Sequence, residues 1–124
     1  MNAATLPLIL LSVTVTAVAQ LVLKRGMSAS GMHEALAAGW MPAALAVASN
    51  AWVVAGLALY FVGALIWLVV LNRVAVSFAY PFVGLGFVLT AFLAWALLGE
   101  GLTAYRALGT LLVTLGVVLI ARGA

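Results

Sequence analysis

Residues 51–71 read AWVVAGLALYFVGALIWLVVL, a run of 21 residues without a charged side chain. At about 1.5 Å of rise per residue, a helix of this length crosses a hydrocarbon core of about 30 Å. Three further apolar runs, at residues 3–23, 74–98 and 103–121, are of similar length and character. The sequence therefore predicts an all-α integral membrane protein, a single domain over residues 1–124 with four transmembrane helices.

The composition of the whole chain supports this fold class. Of its 124 residues, 69% are hydrophobic and 6% charged, a balance that no water-soluble domain of this size can bury. With no cysteine, one histidine and two acidic residues, the chain offers no metal-ligand cluster, phosphate cradle or catalytic constellation. We therefore expect no enzyme, no metal and no cofactor. The five basic residues lie near the ends of apolar runs, which is typical of membrane flanks and not of nucleic-acid binding.

The basic residues are divided almost equally between the two sides of the membrane. Arg73 and Arg122 share the side of Met1, and Lys24, Arg25 and Arg106 lie opposite. The positive-inside rule gives only a weak preference for both termini outside. Three explanations stay open: an antiparallel pair of identical chains, a partner subunit that fixes the orientation, or a small bias aided by lipids.

Polar residues recur every four positions along the first helix. Ser12, Thr16, Gln20 and Lys24 form one stripe on its surface. We expect the hydroxyls of Ser12 and Thr16 to bond to the preceding turn. An amide and an ammonium near the end of a span require a partner, a cavity or the headgroup layer, and Lys24 can also reach the headgroups by snorkelling.

The second helix carries an alternating stripe of small and aromatic residues. Gly56, Tyr60, Gly63 and Trp67 follow one another at spacings of four, three and four. Such a stripe favours close helix packing. The alternative is an aromatic wall along a substrate passage.

The third helix is weakened where residues 77–87 read SFAYPFVGLGF. Pro81 has no amide hydrogen and removes at least one helical hydrogen bond, while Gly84 and Gly86 lower the cost of bending. Freed carbonyls at membrane depth are tolerated only beside protein, hydroxyls or water. Ser77, Tyr80 and Gly84 fall on one face. A static kink and a hinge both fit these residues.

The fourth helix places two small residues, Gly109 and Gly116, on one face. Glycines so placed let another helix approach closely. Since four short helices cannot easily enclose a polar passage and shield it from lipid, we expect this contact to join two chains into a dimeric bundle.

Two segments of the chain resemble a known family. They are SVTVTAVAQLVLKRGM, at residues 12–27, and VAVSFAYPFVGLGFVLTAFLAWALLGEGLTAYRALGTLLVTLGVVLI, at residues 74–120. Together they resemble the drug/metabolite transporter superfamily in its short, four-helix, EamA-like form. Within it, the chain is most similar to the small subunits of the undecaprenyl-phosphate-aminoarabinose flippase. The most specific elements are AVAQLVLK, AYP, and GE before the fourth helix.

This resemblance implies a flippase for polyprenyl-phosphate-linked sugars or amino sugars in the bacterial inner membrane. The assembly would be a homodimer, or a heterodimer with a similar four-helix subunit. The implied role of Glu100 is to order its loop or to contact the amino sugar or Arg106, although its charge also suits the positive end of the fourth helix. Thr103 is a plausible cap for that helix.

A division of roles follows for the other polar residues. We hypothesise that Lys24 and Arg25 attract the lipid phosphate. Hydrogen bonds to the sugar would come from Thr16, Gln20 and Tyr80. A hinge from Pro81 through Gly84 to Gly86 would alternate access.

Two other functions remain alternatives. The sister small multidrug resistance family carries a membrane-embedded glutamate eight residues before the lysine of its first helix, a position that Thr16 holds here. Without that carboxylate, export of small cationic or polar solutes by proton exchange is the second choice. The third is an accessory membrane subunit that moves nothing itself.

Overall fold

A computed structural model describes residues 4–123 of the chain, and within them only helices and their connections occur. The helices are α1 (Thr5–Met27), α2 (Met32–Ala38), α3 (Trp40–Ser49), α4 (Ala51–Arg73), α5 (Val76–Ala79), α6 (Val83–Leu98) and α7 (Ala104–Arg122), with a 3-10 turn, Tyr80–Phe82, between α5 and α6. Within residues 4–123, four segments are long and apolar enough to cross a membrane: α1, α4, α5 through α6, and α7. The predicted class, all-α with four transmembrane helices, is confirmed.

The ends of these segments differ a little from the predicted spans. Helix α1 continues past residue 23 to Met27, so that Lys24 and Arg25 form its last turn. Ala3, where the first predicted span began, lies outside the described residues, as do the outermost positions of the single domain predicted over residues 1–124. The segment between the first two spans forms the short helices α2 and α3.

Helices α1 and α4 pack closely at three buried glycines, Gly26, Gly56 and Gly63. A Cβ atom added at Gly26 would lie 2.6 Å from Cγ2 of Val53, and one at Gly63 would lie 2.6 Å from Cγ2 of Thr16. Both distances are too short for any real Cβ atom. The two helices therefore approach as closely as they do because these positions have no side chain, in agreement with the packing function predicted for Gly56 and Gly63.

An asparagine fixes the end of this contact. Asn50 is the N-cap of α4, where its Oδ1 atom accepts hydrogen bonds from the amides of Trp52 and Val53 at 3.0 and 3.1 Å. Its Nδ2 atom donates to the carbonyl of Gly26 at 3.0 Å. One side chain thus satisfies donors that a helix start leaves open and also an acceptor at the end of α1.

The third span is interrupted at the predicted position. The 3-10 turn that contains Pro81 separates α5 from α6. A Cβ atom at Gly84 would meet Val113 of α7 at 2.8 Å, and one at Gly86 would meet Val13 of α1 at 3.3 Å. Both glycines are therefore needed for close packing, which gives them a static function whether or not the span also bends.

A small apolar core lies where α1, α4, the third span and α7 meet. Its buried members come from all of these elements: Ile9, Val13, Val70, Ala79, Phe82 and Val117. Most other large apolar side chains point outward, for example Leu119, which is 71% exposed. An exterior of this kind is stable only in lipid, and it fits four membrane spans.

Helix α7 is the least covered span, with 6% of its most apolar window buried. Cβ atoms added at Gly109 and Gly116 would meet nothing within 4 Å. This chain therefore leaves that face of α7 open, and the contact between two chains that we expect there stays a prediction.

We predict that Gly26→Ala lowers the free energy of unfolding in detergent micelles by about 1–3 kcal/mol, the range for overpacking a tight contact. The new methyl group would meet the backbone nitrogen of Val53 at 2.8 Å, so a rotamer change cannot relieve the clash. The control is Gly123→Ala at the end of α7, whose Cβ atom would make only ordinary contacts at 3.6 Å. Equal stability of the two variants would contradict the close α1–α4 contact.

Candidate functional site

A groove runs between α1, α4 and α6 and continues to the start of α7. It consists of two cavities with volumes of about 340 Å³ and 440 Å³. The first is lined by Ser12, Val13, Thr16, Ala17, Gln20, Tyr60, Gly63, Ala64, Trp67, Tyr80, Val83, Gly86, Phe87 and Thr90. The second is lined by Gln20, Phe87, Thr90, Ala91, Ala94, Glu100, Gly101, Leu102 and Arg106. Gln20, Phe87 and Thr90 line both cavities, so the two are neighbours, and together they are called the groove.

Three of the predicted sugar-binding residues lie in the wall of the first cavity. Thr16 and Gln20 reach it from α1, and Tyr80 reaches it from the 3-10 turn of the third span. Neither the Gln20 amide nor the Tyr80 hydroxyl has a hydrogen-bond partner among residues 4–123. These groups are therefore free to bind a ligand. Whether they do so stays a prediction.

The two hydroxyls on the α1 stripe behave differently. Thr16 donates to the carbonyls of Ser12 and Val13 at 3.0 Å, as expected for a hydroxyl bonded to its own helix. The same expectation for Ser12 is wrong, because its buried hydroxyl donates to the carbonyl of Gly63 on α4 at 2.9 Å. Glycine allows that carbonyl to come within reach. Ser12 thus serves the helix contact as well as the wall of the cavity.

The predicted phosphate-binding residues lie outside the groove. Lys24 is exposed one helical turn beyond Gln20. The guanidinium of Arg25 lies over the ring of Trp52, 5.2 Å from its centroid, in a cation–π contact. Neither residue lines either of these two cavities. Their predicted attraction of phosphate therefore concerns the approach to the groove.

The aromatic stripe of α4 takes part in helix packing and also in the wall of the first cavity, whereas its function along a substrate passage stays a prediction. Gly56 and Gly63 are buried against α1, whereas Tyr60 and Trp67 line the first cavity together with Gly63. Trp67 also packs against the apolar core. Packing and cavity wall are therefore neighbouring parts of one helix face.

Glu100 and Arg106 are the charged residues in the groove, and both line the second cavity. Gly99 ends α6 with a φ of 70°, a backbone conformation that favours glycine, and so turns the chain toward α7. Thr103 caps the start of α7 as predicted, since its hydroxyl oxygen accepts the amide hydrogen of Arg106 at 3.2 Å. The Arg106 side chain donates to the carbonyl of Gly101, also at 3.2 Å. This loop is therefore ordered by Thr103 and Arg106.

Sequence reasoning missed the contributions of Thr90 and Arg106 to the groove. Thr90 is a lone hydroxyl in the apolar α6 and lies one turn from Phe87 and Gly86, which also line the first cavity. A polar residue in an otherwise apolar span was the available signal. Of the predicted hinge residues, Gly86 lines the groove, whereas Pro81 and Gly84 do not. The hinge itself stays a prediction.

The amino-acid sequence is similar to that of a named bacterial membrane protein. The chain is similar to a probable 4-amino-4-deoxy-L-arabinose-phosphoundecaprenol flippase subunit, ArnE, of Pseudomonas savastanoi pv. phaseolicola (strain 1448A / Race 6). The two are 35% identical over 89 residues, which cover 69% of this chain and 78% of the relative. No family model matches the chain. No solved structure matches it either.

We predict that a cysteine at Thr90 reacts with a membrane-impermeant maleimide about tenfold or more faster than one at Leu112. A thiol reacts as its thiolate, which forms in a wet groove and not in lipid, and each unit of thiol pKa changes the thiolate fraction tenfold. Leu112 is a matched control, because it lies near the middle of α7 and is 61% exposed on the outer surface. The chain has no cysteine of its own to interfere. Equal labelling rates would mean that the groove is dry.

Proposed function

The chain belongs to the ArnE family of flippase subunits, and on this premise we propose that it moves a polyprenyl-phosphate-linked amino sugar across the bacterial membrane. It is a multi-pass protein of the inner membrane, and membrane transport is the activity of its family. We propose in addition which lipid is moved, which residues bind its headgroup and that a second subunit takes part.

A lipid flippase has a limited physical task. The polyprenyl tail can remain in the bilayer, and only the phosphate and the sugar need a polar path. The groove offers this combination, since Thr16, Gln20 and Tyr80 present polar atoms in a wall that is otherwise mainly apolar. The convergence of these three residues on one cavity, from two separate spans, is the observation that carries the proposal.

The lipid phosphate would first meet the basic end of α1. Lys24 and Arg25 form the last turn of this helix, where the helix dipole also favours positive charge. Lys24 is exposed, and Gln20 in the groove wall is its neighbour one turn away. A phosphate attracted by Lys24 would therefore be positioned next to the groove.

A second four-helix subunit, identical or similar, would complete the transporter. The open face of α7 supports this part of the proposal, because Gly109 and Gly116 would let a neighbouring helix approach closely. A single chain also leaves its groove open to the surroundings. The partner would shield the headgroup from lipid during its passage.

The break at Pro81 would permit alternating access. The 3-10 turn divides the third span into α5 and α6, and Tyr80 of the turn lies in the wall of the cavity. A change of angle at the turn would move Tyr80 relative to Gln20. Such a motion would open the groove to one leaflet and close it to the other.

We predict that Lys24→Ala slows translocation of the lipid headgroup in reconstituted vesicles by about tenfold and that Gln20→Ala slows it by about fivefold. The loss of a charge-assisted hydrogen bond to the phosphate is worth about 1.5–3 kcal/mol and the loss of a neutral one to the sugar about 1 kcal/mol, and 1.4 kcal/mol corresponds to tenfold. Insertion and assembly should be unchanged, because both side chains are exposed and Gln20 has no partner in the described part of the chain.

The matched control is Arg122→Ala, which removes a basic residue from the last turn of α7, on the other side of the membrane. It should leave the rate unchanged. Normal rates in both the Lys24 and the Gln20 variants would refute the proposed headgroup path. Export of a cationic dye, with no lipid movement, would instead favour the drug exporter.

We further predict that Pro81→Ala slows translocation severalfold while lipid binding is retained. Alanine supplies the amide hydrogen that proline lacks, so the helix can close across the turn and become stiffer. Pro42→Ala in α3 is the control, since Pro42 is exposed and lines neither of the two cavities. A Pro81 variant with the normal rate would mean that translocation needs no bending at this turn.

A further inference from the structure

The second cavity differs from the first in carrying charge. Its wall contains Glu100 and Arg106, whereas the wall of the first cavity contains only neutral side chains. It also contains the Gln20 amide and the Thr90 hydroxyl, neither of which has a hydrogen-bond partner in the described chain. The end of the groove thus combines an anion, a cation and two neutral hydrogen-bonding groups.

The backbone of this cavity wall is well defined. The amide of Glu100 donates to the carbonyl of Ala94 at 3.2 Å, which joins the loop to the end of α6. Thr103 caps α7, and the Arg106 guanidinium donates one of its five N–H hydrogens to the carbonyl of Gly101. The remaining donors of the guanidinium are left for a ligand.

Glu100 and Arg106 do not form an ion pair in the described part of the chain. The carboxylate of Glu100 forms no ion pair and no hydrogen bond within residues 4–123, although the Arg106 guanidinium lines the same cavity. Glu34 is the other acidic residue of the chain, and it lies in α2. A carboxylate without a partner, in the same cavity wall as a guanidinium with donors to spare, suits a ligand that carries both signs of charge.

We infer that the second cavity is a selectivity site for a zwitterionic headgroup. The Glu100 carboxylate binds the protonated amine of the sugar, and Arg106 binds the phosphate through charge-assisted hydrogen bonds. Gln20 and Thr90 bind the sugar hydroxyls between them. This inference rests on the proposed function and deepens it, because it assigns to one residue the distinction between an amino sugar and a neutral sugar.

A structural alternative exists for Glu100. Its negative charge lies four residues before α7 and can stabilise the positive end of that helix. This function depends on the charge alone and is indifferent to the substrate. The two functions therefore differ in how a neutral Glu100 variant treats two lipids that differ only in the amine.

The test compares two lipids in vesicles that contain the full chain in its membrane assembly. One is a polyprenyl phosphate with an amino sugar, and the other carries a hydroxyl group in place of the amine. We expect Glu100→Gln to slow the amino lipid about tenfold or more, the value of a lost charge-assisted bond, and to leave the hydroxyl lipid unchanged. Glu100→Asp, which keeps the charge, should preserve the preference for the amine.

The matched control is Glu34→Gln, which neutralises the other acid of the chain and should change neither rate. Thermal unfolding in detergent checks that the Glu100 variants are folded. An equal loss for both lipids, or no loss for either, would overturn the inference and leave the flippase proposal standing. If the unaltered protein moves neither lipid, the proposed function itself fails.

Discussion

The close contact of α1 with α4 is the constraint on which the rest of the molecule depends. In a bilayer, apolar side chains gain little by leaving lipid for protein, so helices associate through close packing and interhelical hydrogen bonds. Gly26 and Gly63 provide the packing, and the hydroxyl of Ser12 bonded to the Gly63 carbonyl provides the hydrogen bond. This contact fixes the rotation of α1, and that rotation turns Gln20 toward α6.

Much of the fold could be predicted because membrane spans follow from one-dimensional properties. The apolar runs located the four long helices, Pro81 located the break in the third, and Thr103 located the start of the fourth. The period of four along α1 also placed Thr16 and Gln20 on one face, and both lie in the groove. Length, hydropathy and periodicity do not depend on the neighbours of a helix.

The rest could not be predicted because periodicity defines a face but not what lies opposite it. Ser12 was expected to bond to its own helix, yet Gly63 happens to present its carbonyl within reach. Lys24 continues the polar stripe of α1, but it lies in the last turn of the helix and lines neither of the two cavities. Arg106 lies far from Gln20 in sequence, and only the turn at Gly99 brings the two residues to one cavity.

The degree of burial falls steadily along the chain, from 28% in the first span to 22%, 17% and finally 6% in the last. Since the ribosome delivers the N-terminal end first, the two spans with the tightest contact can pair while the others are still being made. The last span, α7, then enters the bilayer with most of its surface not packed against the other three spans. Biosynthesis can thus separate two events in time: α1 and α4 can pair first, and the proposed contact of α7 with a second subunit can form after synthesis is complete.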